Sequence, residues 1–195
     1  RNISYYGRLS YSYNSKYMFQ ATIRRDGSSV FGNGHRWGTF PSVSAAWNIT
    51  EESFMKNQNV FSNLKLRVGY GVSGNALGFG AYSAVSTYGS SGSYFTYNGN
   101  SYVTLGATKL ANPDLKWEET SQLNIGFETR LFHDFNLGFD LYTKKTTGIL
   151  QDVMLPGYVG STGNPVGNVA DMTNKGFDVE LGYKKQIGEL SISAN

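Results

Sequence analysis

The sequence has no cysteine in its 195 residues, so neither disulfides nor thiolate metal sites contribute to its fold. Proline occurs four times and histidine twice, the latter as His35 and His133, which leaves little material for a metal centre or an imidazole-based catalytic site. The formal net charge is only +3 and the Lys and Arg residues form no cluster, so nucleic acid is not indicated as a partner. No apolar run approaches the roughly 20 residues of a membrane-spanning helix. The opening RNISYYGRLS lacks the apolar core of a signal peptide.

What is abundant is Gly (24), Tyr (14) and Phe (12), against 16% charged residues, a balance that suits strands and loops rather than helices. Alternation of period two recurs about eight times. One face gathers Tyr5, Gly7, Leu9, Tyr11 and Tyr13, then Tyr17, Phe19, Ala21 and Ile23, then Val43, Ala45, Trp47 and Ile49, with Pro41 fitting a strand end. A fourth strand carries Leu64, Leu66, Val68, Tyr70 and Val72. After an irregular stretch over 74–117, read as a surface loop with room for a hairpin of its own, come Leu123, Ile125, Phe127 and Leu131, then Phe135, Leu137, Phe139 and Leu141. A second irregular stretch over 148–173 precedes Phe177, Val179, Leu181 and Tyr183, and an eighth strand carries Leu190, Ile192 and Ala194. Within these strands the apolar face holds no charged residue. The opposite face holds Arg8, Arg24, Lys65, Arg67, Glu128, Arg130, Asp140 and Lys144, so one face meets hydrocarbon or a core and the other meets water.

The connections alternate in length. They are short near 14, at His133-Asp134 and near 187, moderate over 50–63, and long over 25–40, 74–117 and 148–173. In the moderate one, Glu51, Glu52, Phe54 and Met55 are expected to form a helical turn capped by Thr50. Outer-membrane barrels show this asymmetry, with short turns on one side and long loops on the other. Strand ends beside the short set carry Tyr13, Tyr17, Trp47, Phe135 and Tyr183, the placement of an interfacial aromatic girdle. The competing architecture is a soluble β-sandwich whose apolar faces meet in a dry core, for instance a carbohydrate-binding module.

Most chemical motifs read as decoys. Gly69-Tyr70-Gly71-Val72-Ser73-Gly74 satisfies GxGxxG, but a dinucleotide site needs a helix right after the glycines and Asn75 opens a polar loop. His35 and His133 fall at opposite strand ends and cannot share a metal. Ser28, His35 and Asp26 would make a triad only on a loop with no scaffold to orient the base. Asn48-Ile49-Thr50 is a formal glycosylation sequon. Asp26-Gly27-Ser28-Ser29 reads first as a turn, and so does Asn112-Pro113-Asp114. Tyr82, Tyr88, Tyr94, Phe95, Tyr97 and Tyr102 lie among Ser, Gly and Asn; they suit packing of the loop or a partner protein, and equally a sugar or peptide ligand. No catalytic residue, metal or cofactor is expected.

Three ordered phrases carry a resemblance: RRDGSSVFGNGHRWGTFPSVSAAWNI over 24–49, followed by Glu52, Phe54 and Met55; LKLRVGYGVSGN over 64–75; and NPDLKWEETSQLNIGFE over 112–128. In these the chain resembles the SusC/RagA branch of TonB-dependent outer-membrane transporters. The resemblance implies an all-β fold, an antiparallel up-and-down transmembrane barrel in which about eight strands of some 22 are present, with the charged face toward the lumen. It implies an internal piece of the barrel, without the plug domain. It further implies import of glycans or peptides, a SusD-like lipoprotein as partner, energy from TonB, ExbB and ExbD acting on the plug, outer-membrane lipid around the barrel, and no enzyme activity.

Overall fold

The computed structural model describes residues 1–76, 80, 82–132, 134–159, 161, 163–187 and 190–194. His133, and the side chains of Leu190 and Ile192 singled out above, lie outside what is described. Eight antiparallel strands form one sheet in which neighbours in sequence are neighbours in space, apart from an excursion between the fourth and fifth. They are β1 (Asn2–Tyr13), β2 (Tyr17–Ser28), β3 (Trp37–Asn48) and β4 (Phe61–Asn75), then β7 (Glu118–Leu131), β8 (Phe135–Asp152), β9 (Val166–Ile187) and β10 (Leu190–Ala194). The excursion is a separate hairpin of β5 (Thr87–Tyr97) and β6 (Asn100–Lys109). The large sheet is not closed: β1 and β10 are its two edges.

Register turns the period-two pattern into two continuous faces, because residues directly opposite one another share a side of the sheet. One row reads Trp47, Leu66, Phe127, Phe139 and Val179 across five strands; the next reads Ala45, Val68, Ile125, Leu141 and Phe177. Together these rows make an apolar belt. No second sheet covers it among the described residues, and Leu9 and Phe177 remain 65% and 67% exposed. A sandwich would bury such a belt under a facing sheet, so the single layer removes the soluble-sandwich architecture.

The strands run further than alternation alone indicated, mainly at the long-loop end. Half of the stretch over 148–173 is strand: β8 continues to Asp152 and β9 starts at Val166. Alternation failed there because the β8–β9 register shifts between Thr146 and Leu150, around Gly148 at φ 65°; a bulge of this kind flips the side-chain phase. The loop expected over 25–40 shrinks to 29–36, and Pro41 sits inside β3 opposite Ile23, one residue before pairing with β4 begins at Ser42. At the other end, two short 3₁₀ turns, Ile49–Glu51 and Ser53–Met55, replace the single capped turn. Thr50 does not cap them. Its hydroxyl donates to Asn48 Oδ1 at 2.7 Å and accepts from the Leu64 N–H at 3.3 Å, which ties the connection to β4 and also occupies the sequon.

The tight turns have local causes. Asn14 and Ser15 both adopt positive φ, with the Lys16 N–H on the Tyr13 carbonyl at 2.9 Å, the geometry that matches strand twist in a two-residue hairpin. Asn98-Gly99 does the same for β5 and β6.

Candidate functional site

The polar face is organised around Arg67. Directly opposite it on β7 is Gly126, and opposite Gly126 on β8 is Asp140. Because Gly126 has no side chain, the guanidinium lies across β7 and bonds Asp140 through Nε, at 3.1 Å to Oδ1, and through an Nη group, while its other Nη reaches Glu128. A Cβ on residue 126 would clash with the Asp140 carboxylate. The other charged residues read from the sequence share this face at known register positions: Arg8 opposite Thr22, Lys65 opposite Glu128, and Lys144 opposite Gln122. Arg24 pairs with Asp26 as an ion pair, and Arg130 Nε donates to Asn136 Oδ1 at 2.8 Å. A groove of about 760 Å³ runs over this face, lined in part by Gln20, Lys65, Arg67, Gln122, Asp140 and Asp178.

At the long-loop end the phrases 24–49 and 112–128, each read separately as turn and strand, meet. Phe31 from loop 29–36 packs with Leu115, Leu150 and Val166 in the buried cluster of the chain, with Trp117 against it. The Phe31 and Trp117 rings lie 4.8 Å apart, and Phe40 meets Trp117 edge-on at 5.5 Å. Contact between the segments is close enough that a Cβ on Gly32 would come within 2.7 Å of the Pro113 carbonyl oxygen. Two asparagines stitch the strap 112–117 to β9: Asn112 Nδ2 donates to Val166 O, and Asn168 accepts from the Lys116 N–H while donating to Lys116 O and Gly148 O. Where β3 and β4 part beyond Ser42, the Phe40 ring fills the gap, beside the bare glycines 38 and 74. Single motifs showed none of this, because the two phrases meet through residues about 80 apart in sequence and the asparagine bonds between the strap and β9 span more than 50.

The tyrosine-rich stretch forms the hairpin β5–β6, with Tyr82 in the loop before it. Phe95 and Tyr102 stack at 5.2 Å between centroids. Tyr82, Tyr88, Tyr94 and Tyr97 are exposed, Tyr88 to 73%. No charged residue occurs from Thr87 to Thr108.

At the short-turn end, Tyr13 is opposite Tyr17, Tyr17 opposite Trp47, and Phe135 opposite Tyr183. Tyr17 and Trp47 stack at 6.4 Å between centroids, and Phe135 and Tyr183 meet at 4.8 Å with their rings tilted by 44°. Glu52, read from the sequence as part of a turn and of the first resemblance phrase, is the polar anchor of Tyr17 and Trp47. Its carboxylate accepts from Tyr17 Oη at 2.6 Å, Lys16 Nζ at 3.1 Å and Trp47 Nε1 at 3.3 Å. These bonds, the Tyr17 hydroxyl first and Lys16 second, hold the Glu52 carboxyl below its ordinary range. The Glu52 anchor joins residues 5, 35 and 36 apart, which strand periodicity does not link.

The remaining motifs fall in strands and turns. The GxGxxG glycines lie within β4, which continues to Asn75, so no helix N-terminus follows them. Asp26 is bound to Arg24, and the Ser28 hydroxyl accepts from the Val30 N–H; among the described residues neither is bonded to His35. Among the described residues no group of three or more His, Asp or Glu is placed to hold a metal.

The family model described as "TonB dependent receptor-like, beta-barrel" matches residues 1–195. Among curated proteins, the chain is 39% identical over 182 residues to TonB-dependent receptor P39 of Formosa agariphila, covering 93% of this chain and 17% of that protein. It is 35% identical over 184 residues to TonB-dependent receptor SusC of Bacteroides thetaiotaomicron, covering 93% and 18%. Among solved structures, that of the RagAB peptide transporter superposes with a TM-score of 0.83 at 28% identity, over 96% of this chain and 20% of that one. The chain therefore spans less than a fifth of the length of the curated relatives it matches.

Proposed function

Because this chain belongs to the TonB-dependent receptor-like β-barrel family, we propose that it is a stretch of wall in an outer-membrane transporter that imports glycans or peptides. The observation that carries the reading is the single-layer sheet with a bare apolar belt on one side and the Arg67 carboxylate network on the other. In a barrel the belt faces lipid and the network faces the lumen, where polar contacts to cargo or plug are made. Charged residues Arg8, Arg24, Lys65, Arg67, Glu128, Arg130, Asp140 and Lys144 then line the lumen. Tyr13, Tyr17, Trp47, Phe135 and Tyr183 form the girdle at the short-turn, periplasmic interface.

A SusD-like lipoprotein is the proposed partner at the long-loop mouth, where the hairpin β5–β6 presents Tyr88, Tyr94, Phe95, Tyr97 and Tyr102, with Tyr82 before it, to a partner or substrate. The named likeness to a peptide transporter supports peptides, and charge-free aromatic surface suits glycans as well. Energy would come from TonB, ExbB and ExbD acting on a plug; residues 1–195 all match barrel, so no coupling residue is assigned within them.

The test is fractionation followed by uptake. The parent protein should sediment with outer membrane and migrate differently in gels before and after boiling. Its deletion, or loss of TonB, should abolish growth on an oligosaccharide or oligopeptide substrate. Recovery in the soluble periplasmic fraction would overturn the proposal.

A further inference from the structure

Alternation continues past the belt. On β8 the outward series Leu137, Phe139, Leu141 goes on to Thr143 and Lys145; on β9 the series Tyr183, Leu181, Val179, Phe177 goes on to Lys175 and Thr173. Thr143 is opposite Lys175 and Lys145 opposite Thr173. The charge-free apolar face expected from the shorter sequence-derived strands therefore ends in a pair of lysines, diagonal neighbours about 7–8 Å apart at the backbone. On β2 the same face ends in Arg25, whose guanidinium lies 5.3 Å over the Trp37 ring, itself stacked on Tyr5.

We infer that Lys145 and Lys175 bind the phosphate of a phosphorylated lipid headgroup in the outer leaflet. This rests on the barrel reading above. Depth is the first argument. Lys175 stands eight residues from Tyr183, as Arg25 does from Tyr17, and Lys145 ten from Phe135. At about 3.4 Å per residue and a tilt of about 40° these spans rise about 21–26 Å, the height of the apolar band, so the cations reach the opposite headgroup layer.

Pairing is the second argument. At the short-turn end Lys16 is paired with Glu52 at 3.1 Å and Lys185, on the same outward face, with Asp134 at 3.8 Å, while Lys56 and Lys184 form no ion pair among the described residues. At the long-loop end Lys145 and Lys175 are exposed and form no ion pair among the described residues. The nearest acids by register, Glu119 and Asp171, lie one row further out, and Asp171 accepts from the Gly148 N–H at 2.9 Å. Two ammonium groups on flexible stems, flanked by the Thr143 and Thr173 hydroxyls, suit one phosphate as a point-charge clamp.

The full-length protein, purified in detergent, is incubated with lipid A bearing phosphate, with dephosphorylated lipid A, and with inorganic phosphate, and retained lipid is measured by native mass spectrometry. Phosphorylated lipid should be retained in preference to its dephosphorylated form. Lys145→Gln with Lys175→Gln should reduce that retention about 30-fold, the factor two basic residues are worth near an anionic surface. Lys145→Arg with Lys175→Arg should keep it, and Lys56→Gln at the short-turn end should leave it unchanged. Wild-type retention by the double Gln variant, with gel migration showing a folded barrel, overturns the inference, and so does loss of retention in the double Arg variant. Displacement by equimolar inorganic phosphate overturns the lipid assignment in favour of a free anion. A protein that never enters the outer membrane refutes the barrel reading instead, which separates the two failures.

Discussion

Leu115 is fully buried, at 0% exposure, between Phe31, Leu150 and Val166, and it belongs to the strap that Asn112 and Asn168 tie to β9. Leu115→Ala removes the side chain that joins loop 29–36 to that strap. Large-to-small changes at fully buried sites cost about 3 kcal/mol where the surroundings cannot collapse. The asparagine bonds hold the strap in place here, so little collapse is expected. The loss should be local, because the cluster draws on loop and strand-end residues and the wall keeps its ladder of paired strands. In the full-length protein, amide exchange over 29–36 and 112–117 should accelerate about 100-fold, since each 1.4 kcal/mol is a factor of ten. Amides in the middle of β7, β8 and β9 should not change. Leu9→Ala, on the uncovered belt, should leave both loop segments as they were. If exchange rises equally along the wall, the cluster is part of a global core and the reasoning fails. If it rises nowhere, Leu115 is not what holds the mouth together.

Other expectations follow from the same contacts. Glu52 is held below its ordinary value near 4.5, so its bonds contribute above that value and are lost as pH falls through the lower folded value. Trp47 fluorescence should therefore change only at a midpoint under 4.5, and Glu52→Gln should abolish the transition; a midpoint above 4.5 refutes the assignment. Gly126→Ala in a strand would ordinarily stabilise, but a Cβ there would clash with the Asp140 carboxylate. The variant should lower the urea unfolding midpoint by the equivalent of about 0.5–1 kcal/mol, the worth of a partly exposed ion pair, and a raised midpoint would count against the Arg67 network. Gly99 holds φ 77° in the β5–β6 turn, so Gly99→Val should cost about 1–2 kcal/mol. That is enough to melt a two-stranded hairpin, seen as lost exchange protection over 87–109 with the wall unchanged; persistent protection would mean that something else supports the hairpin.

The wall was legible because a β-strand reports its environment at every second residue. Once Leu66, Val68 and Tyr70 are read on one face, register follows from keeping that face continuous. What stayed hidden has physical causes. The bulge at Gly148 reverses the phase within β8 and concealed the outer ends of β8 and β9; Lys145 and Lys175 lie before it, where the outward series turns polar and the apolar signal stops. The Arg67 network was half visible: its charged members were read from alternation, but the role of Gly126 depends on a side chain that is missing, which composition does not flag. The cluster around Leu115 joins two phrases that are each turn-like when read alone. Glu52 gave only an acidic residue in a connection, and its three donors come from two strands and a turn.

The register also bears on whether the aromatic residues at the short-turn end form one interface. Following hydrogen-bonded partners from Trp47 on β3 leads to Leu66, Phe127, Phe139 and finally Val179 on β9. The girdle residue proposed on β9, Tyr183, lies four residues further along that strand, and Phe135 on β8 lies four beyond Phe139. Four residues are about 13.6 Å along a strand, while three to four strand spacings of about 4.8 Å are about 14–19 Å across the sheet. Tyr13, Tyr17 and Trp47 are directly opposite one another, as are Phe135 and Tyr183, so the slip falls between β3 and β8, and a line from Trp47 to Phe135 or to Tyr183 crosses the strands at an angle that implies a tilt of about 35–43°. Strands of outer-membrane barrels tilt by about 35–45° from the membrane normal. In a flat sheet facing water nothing would require the aromatic line to slip four residues in one direction. In a tilted wall, that slip is what keeps Trp47, Phe135 and Tyr183 at one depth. Moving the line breaks the match: exchanging Tyr183 with Val179 (Tyr183→Val with Val179→Tyr) keeps composition and face but lifts the ring four residues into the belt, and should lower insertion efficiency of the full-length protein into liposomes. Unchanged insertion would mean that the line is not an interface.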